Sequence, residues 1–394
     1  MANLFLFTSY FPYGVSGESF IESEIKYACE CFDTVYIIPT QNTGTPRPIP
    51  DNAKIIESKI YNNKDYLKYG IKKRAMSLRK IFSEFWRLKA FTSVRKLRKF
   101  IVELLVINSL KNSKQLQEVL KIVTSKDVVY SYWGYGWGYI LPLTDFNGAK
   151  IISRFHRGDL YEYRPNVMLP LRRELLNKID LAVYISKDGQ QYSQDMYPDV
   201  RAKSIVSYLG TLDSGCTFKS NDKKFRIVSC SYLRPVKRVD LIFKALLLND
   251  DPDIEWTHIG GGELFNQLKE LIHKTPHKFK ITLTGHLPNY EVKNLLKDGG
   301  YDVFINVSSS EGLPVSLMEA ISFNIPVIGT DVGGTREIVN ESTGVLIPAD
   351  PSLEDITSAI NELKDKTLNP RKFWEENFNA DTNYKKFYKL LKQL

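Results

Sequence analysis

Two carboxylates, Glu311 and Glu319, stand with seven residues between them in the stretch "EGLPVSLME". A Gly-Leu-Pro turn follows the first, and the opening turns of a helix carry the second, so both can line one pocket at different depths. Pro314 suits the first position of a helix, and the amides of Val315, Ser316 and Leu317 then head that helix. Carboxylates accept hydrogen bonds from hydroxyl groups, and helix N-termini attract anions. The combination suits a polyhydroxylated phosphate ester. An ordinary helix-surface role for Glu319 would leave Glu311, Gly312 and Pro314 unexplained.

A second stretch, "SYLRPVKRVDLI", ends a strand at Tyr232, opens a helix at Pro235 and places Lys237 in its first turn. A cation there builds an anion site with the helix dipole; a solvated Lys237–Arg238 pair is the plain alternative. "THIGGGEL" sets Gly260, Gly261 and Gly262 between a strand and a helix, where backbone can approach a ligand or simply turn. It is not Gly-x-Gly-x-x-Gly, and no acid follows at the spacing of a dinucleotide ribose, which speaks against a dehydrogenase. "SYFPYGVSGESF" offers Gly14 and Gly17 in a further strand, loop and helix. In "SRFHRGDLYEY", His156 leaves a strand directly, flanked by Arg154, Arg157 and Asp159.

These residues need elements that bring strand ends together. Short apolar strands alternate with amphipathic helices along the chain: "NLFLFTSY", "TVYIIP", "VVYSYW", "KIISRF" and "LAVYIS", then "RIVSCSY", "IEWTHIG", "KITLTG", "VFINVS", "PVIGT" and "GVLIP". The predicted helices start at Ser19, cover about 66–122, start again at Leu169, and then fall at 237–248, 263–274, 290–298 and 315–323. Such alternation predicts parallel βαβ units with ligand sites at the carboxyl ends of strands. At 394 residues the chain exceeds the usual span of one core. We expect an N-terminal domain over 1–208, a hinge at 209–222 in the polar "SYLGTLDSGCTFKSNDKKF", a C-terminal domain over 223–375 and a terminal helix over 376–394 packing across the hinge.

The stretch "EGLPVSLMEAISFNIPVIGTDVGGTREIV" resembles the Glu-x7-Glu signature of retaining glycosyltransferase family four, whose fold is GT-B. "IGGGEL", "ITLTGHLPNYEV", "TGVLIP" and the terminal helix follow in the family's order, so the resemblance covers 222–394 specifically and the first half more loosely. It implies an α/β protein of two Rossmann-like parallel-sheet domains facing each other across a crevice. The implied reaction transfers a sugar, with retention, from a nucleotide-diphosphate donor, UDP ahead of GDP, to a hydroxyl of a lipid-linked or polysaccharide precursor in bacterial surface polysaccharide assembly. Position by position, Glu311 with Gly312, Leu313 and Pro314 would hold the donor sugar, and Glu319 the ribose. Val315, Ser316 and Leu317 would face the diphosphate with Lys237 as counter-charge, Gly260 and Gly262 would approach the donor, and His286 and Leu287 would meet the base. Gly14, Gly17 and His156 would contribute from the other domain. The family's Arg before the Lys is Tyr232 here, so Arg234 or Arg238 supplies the second cation. No metal or other cofactor is implied, since no Asp-x-Asp motif stands in a matching loop.

The formal charge of +9 has one source. Residues 68–100 hold twelve Lys/Arg against Glu84 alone, leaving the remainder at −2. Ile71, Ala75, Leu78, Phe82 and Phe85, with Trp86 alongside, recur there at helical spacing, as in a basic amphipathic segment. Lys72, Lys73, Arg95 and Lys96 are expected to meet a peripheral anionic membrane surface. Nucleic acid is not expected, because these aromatics follow a helix rather than a base-stacking platform. The opening residues read as a strand rather than a leader, "FIVELLVINSL" is too short and too charged to span a bilayer, and the four cysteines lack metal spacing. Those features predict a cytoplasmic protein with reduced thiols. Two competing readings are a GT-B sugar-nucleotide epimerase and a non-catalytic basic protein binding membrane or nucleic acid.

Overall fold

The computed structural model describes residues 2–14, 18–58, 60, 63–71, 74–164, 167–217 and 222–394. Gly17, Lys72 and Lys73 lie outside them. Among the described residues the chain forms two compact units, Met1–Ser207 with Tyr384–Leu394, and Tyr208–Asn383. The crossings at 207/208 and 383/384 fall before the expected connector and inside the terminal helix, Ala380–Lys392. Residues 209–217 already pack in the second unit, where Thr211 bridges to Asn379 and its hydroxyl accepts the Trp374 indole N–H at 2.7 Å.

The first unit holds a seven-stranded sheet of β1 (Leu4–Thr8), β2 (Val35–Pro39), β3 (Ala53–Ile55), β4 (Val128–Ser131), β5 (Lys150–Phe155), β6 (Leu181–Tyr184) and β7 (Lys203–Val206), in the order β3-β2-β1-β4-β5-β6-β7. The second holds β8 (Phe225–Cys230), β9 (Ile254–Ile259), β10 (Lys280–Leu283), β11 (Val303–Asn306), β12 (Val327–Thr330) and β13 (Gly344–Ile347), in the order β10-β9-β8-β11-β12-β13. Every pairing is parallel. Both units are therefore Rossmann-like. Central strands such as "LFLFT" and "VFIN" are buried along their whole length, because helices cover both faces of a parallel sheet and favour unbroken apolar runs. The edge strands β3 and β7 carry no such run ("AKI" and "KSIV") and were invisible to periodicity.

Both sheets reverse their winding once, between β1 and β4 and between β8 and β11. At such a switch point the connections leave toward opposite faces, and a cleft opens beyond the carboxyl ends of the strands.

Within β9 of the second sheet, His258 is fully buried, its Nδ1 2.9 Å from the Ser229 hydroxyl, which also accepts the Trp256 indole N–H at 3.0 Å. Burial pushes this imidazole down to about 4, whereas an unfolded histidine titrates near 6.5. Its contribution to stability is thus complete above pH ~6.5 and is lost as pH falls toward about 4, by roughly 3 kcal/mol. Thermal unfolding across that window should show a flatter pH slope for His258→Gln than for the wild type.

Candidate active site

The residues expected to do chemistry flank the β8/β11 switch point. Beyond β8 the chain makes a 3₁₀ turn over Pro235–Lys237, and the α-helix Val239–Asn249 begins only after Arg238 takes a left-handed φ of 48°. Lys237 therefore stands in a separate turn ahead of the helix, not in its first turn. Beyond β11, Glu311 is 9% exposed, and its Oε1 accepts from Lys237 Nζ at 2.5 Å and from Asn306 Nδ2 at 3.3 Å. The loops are tied beside this pair, since Ser309 N–H donates to Val236 O at 2.8 Å. Arg238 serves the same framework. Its guanidinium donates to the carbonyls of Val307 at 2.8 Å, Ser308 at 3.2 Å and Ala349 at 2.8 Å, and pairs with Asp350 at 3.0 Å. Of the two arginines considered, Arg234 is the exposed one. Its guanidinium lies 5.7 Å over the Tyr232 ring, and that ring stacks on His286 at 6.0 Å. Tyr232, His286 and Arg234 thus cluster beyond β8 and β10, with Leu287 next in the chain and half-buried.

The helix Val315–Ser322 starts as expected after Pro314, with Val315 and Ser316 half-buried at its head. Leu317 differs from expectation, because its N–H already donates to Pro314 O at 3.1 Å. The first helical turn has closed on it. Glu319 is half-buried, and burial raises its carboxyl above the usual range against the opposing pull of Lys293 and Asn289. Cys230, at the end of β8, is pushed up to about 12 by burial and secondarily by Glu319, while Lys237 lowers it. Glu319, Cys230 and Lys237 consequently share one neighbourhood.

The glycines answer to the framework before any ligand. At Gly260 (φ +138°) a Cβ would stand 2.0 Å from Ser231 O, and at Gly262 (φ +151°) 2.6 Å from Leu233 O. These positions let the loops beyond β8, β9 and β10 pack backbone to backbone, with Gly260 N–H donating to Gly285 O and Leu233 N–H to Gly261 O, both at 2.9 Å. Gly312 and Leu313 are buried, and Gly312 O accepts the Gly334 N–H at 2.7 Å.

In the first unit, Gly14 (φ +80°) lies beyond β1 with open space where a Cβ would be. Three amides of that loop are already claimed: Glu18 accepts from Ser9, Tyr10 and Phe11 N–H at 2.9, 2.7 and 2.6 Å. His156 follows β5, 6% exposed, with its ring 4.3 Å from Trp133, 5.1 Å from Tyr132 and 6.1 Å from Phe20. Neither ring nitrogen has a hydrogen-bond partner among the described residues. Burial first and Arg154 second hold the imidazole well below its usual pKa, so it is neutral. Asp159 fixes its backbone, accepting the His156 N–H at 2.6 Å; burial pushes that carboxyl up to about 6 against Arg172.

Residues 217–380 match the family described as glycosyl transferases group 1. Over these residues the chain is similar to the group 1 glycosyltransferases. The match spans nearly all of the second unit. Among curated proteins, the UDP-N-acetylglucosamine–peptide N-acetylglucosaminyltransferase GtfA subunit of Streptococcus pneumoniae is 27% identical over 180 residues, 44% of this chain and 35% of that protein. This chain thus spans about a third of that relative's length. The putative colanic acid biosynthesis glycosyltransferase WcaL of Escherichia coli is 28% identical over 266 residues, 62% of this chain and 65% of that protein. The structure of Anabaena Alr3699/HepE in complex with UDP superposes with a TM-score of 0.68 at 16% identity, covering 100% of both chains. Solved neighbours of this kind share the GT-B fold.

Two parts of this site escaped sequence reasoning. Asn306 steadies Glu311 and accepts the Ser308 N–H at 2.9 Å; its one signal was a polar residue closing the apolar strand "VFIN". Gly333, at φ +52°, would set a Cβ 2.1 Å from Glu311 O, so the "DVGG" turn props the Glu311 loop from behind. Gly333→Ala should destabilise the second unit by about 1–3 kcal/mol and weaken nucleotide binding, read by thermal unfolding and calorimetry on one preparation. Among the described residues no group of three or more His, Cys, Asp or Glu is placed to hold a metal ion.

Proposed function

We propose that the protein is a retaining glycosyltransferase that moves a sugar from a nucleotide-diphosphate donor, UDP in preference to GDP, onto a hydroxyl of a glycan or lipid-linked polysaccharide precursor at an anionic membrane surface. The observation that carries it is the Lys237–Glu311 pair at the β8/β11 switch point, beside the head of the Val315–Ser322 helix. A cation and helix amides suit the diphosphate, and a hydrogen-bonded carboxylate suits sugar hydroxyls. The bond between the anomeric carbon and the diphosphate oxygen breaks with its electron pair going to phosphate. The acceptor oxygen then bonds that carbon from the same face and releases its proton to the departing phosphate. Lys237 and Arg234 meet the growing negative charge, and fixed charge of this kind is commonly the largest catalytic term. Glu319 receives the ribose hydroxyls, and His286 and Leu287 the base.

The UDP-bound HepE structure and the N-acetylglucosaminyltransferase relative support a UDP-sugar donor, and WcaL supports a polysaccharide acceptor. Titration calorimetry should give micromolar binding of UDP and weaker binding of GDP, and transfer should run at an unchanged rate with a chelator present. Tighter GDP binding would move the donor to the guanine series. Donor turnover without any acceptor would mark a sugar-nucleotide epimerase instead.

A further inference from the structure

The first unit leaves an apolar strip uncovered on its basic segment. The helix Leu78–Arg87 turns Ile81 and Phe85 inward, where they pack with Leu88, Leu104 and the buried Phe100 and Met168. Its other face presents Leu78, Phe82 and Trp86 four residues apart, the last two 63% and 52% exposed. Phe82 and Trp86 meet at 5.8 Å and Trp86 and Phe91 at 4.7 Å, so the rings make one continuous strip. Val94, Leu97 and Ile101 continue an exposed apolar face on the helix Val94–Lys111. Monomeric proteins rarely leave such a contiguous patch without use.

The cations around it divide in two. Arg87 is clamped by Glu84 through two bonds of 2.9 Å, and Lys80 pairs with Glu174 at 3.3 Å. Arg79, Lys89, Arg95 and Arg98 are exposed and carry no ion pair among the described residues. Lys96, expected beside Arg95 at the surface, is half-buried. Apolar rings rimmed by unpaired cations match one environment, the boundary between anionic headgroups and acyl chains. A second copy of the strip would bring like charges together. Nucleic acid would use the cations, but Phe82 and Trp86 meet at 70° and offer bases no stacked platform.

We propose that Leu78, Phe82, Trp86 and Phe91 insert into an anionic lipid leaflet while Arg79, Lys89, Arg95 and Arg98 engage its phosphates. This rests on the reading that the enzyme works at an anionic membrane, and it names the element that holds the protein there, by apolar burial as well as charge.

The full chain is tested on vesicles of phosphatidylcholine alone and of phosphatidylcholine with an equal part of phosphatidylglycerol, with and without brominated acyl chains. Trp86 is the exposed tryptophan, since Trp137, Trp256 and Trp374 are buried and Trp133 half-buried. Insertion predicts co-sedimentation with the anionic vesicles and quenching of fluorescence by brominated chains, with Trp86→Phe losing most of that quenching. Phe82→Ser and Phe91→Ser should each weaken vesicle binding about tenfold with unchanged thermal unfolding. Salt-sensitive binding without quenching, equally strong in Phe82→Ser, overturns insertion and leaves docking by charge alone. No binding to anionic vesicles overturns both membrane statements, and a concentration-dependent dimer abolished by Phe82→Ser would assign the strip to self-association. UDP titration on the same samples reports the donor site separately, so its failure is distinguishable from any of these.

Discussion

Lys237→Ala and Glu311→Ala should each lower the proposed sugar transfer by about 10²- to 10³-fold, the loss expected when one preorganised charge no longer meets the transition state. Both residues stand in loops beyond strand ends rather than in the core, so near-native thermal unfolding should accompany the lost rate. The two side chains are in contact at 2.5 Å, and their effects should not add. The double variant is expected to be little slower than the worse single one. Glu311→Gln separates charge from shape, because it can keep the Asn306 contact while losing the ion pair. Initial rates with a UDP-sugar and a competent acceptor decide the matter, and wild-type rates in either alanine variant would remove the pair from the mechanism.

The largest stability effect belongs to the first unit. Arg154 and Glu24 are both fully buried. Arg154 Nη1 donates to the two Glu24 oxygens at 3.0 Å each, and Glu24 also accepts the hydroxyls of Tyr132 at 2.8 Å and Tyr388 at 2.9 Å. The Phe387 ring lies 4.3 Å from the guanidinium, so the C-terminal helix closes over the pair. Removing one partner strands an uncompensated charge, and Glu24→Ala or Arg154→Ala should cost about 3–5 kcal/mol. An apolar replacement of both, Glu24→Leu with Arg154→Met, should recover much of that loss, because no charge then remains to be desolvated. Tyr388→Phe deletes one hydrogen bond to the carboxylate and should cost roughly 1–3 kcal/mol. Denaturant unfolding of the four variants provides the ordering, and a single-charge variant as stable as the wild type would contradict it.

The alternation of apolar strands and amphipathic helices was enough to determine an α/β chain of two parallel-sheet units. It also determined that the chemistry-bearing residues follow strands, because burial on both faces and helical periodicity are local properties. The spacing of Glu311, Pro314 and Glu319 was readable for the same reason: one loop and one helix hold all three. Pairings far apart in sequence were not readable. Lys237 meets Glu311 across 74 positions because β8 and β11 became neighbours at a switch point, and strand order is set by crossovers that leave no local pattern. The same holds for Arg238, whose left-handed backbone turned its guanidinium onto carbonyls beyond β11 and β13, and for Gly333 behind Glu311. Tyr388 reaches Glu24 over 364 positions. A fully buried carboxylate must find donors wherever the fold brings them, and only the folded chain showed that the last helix supplies one.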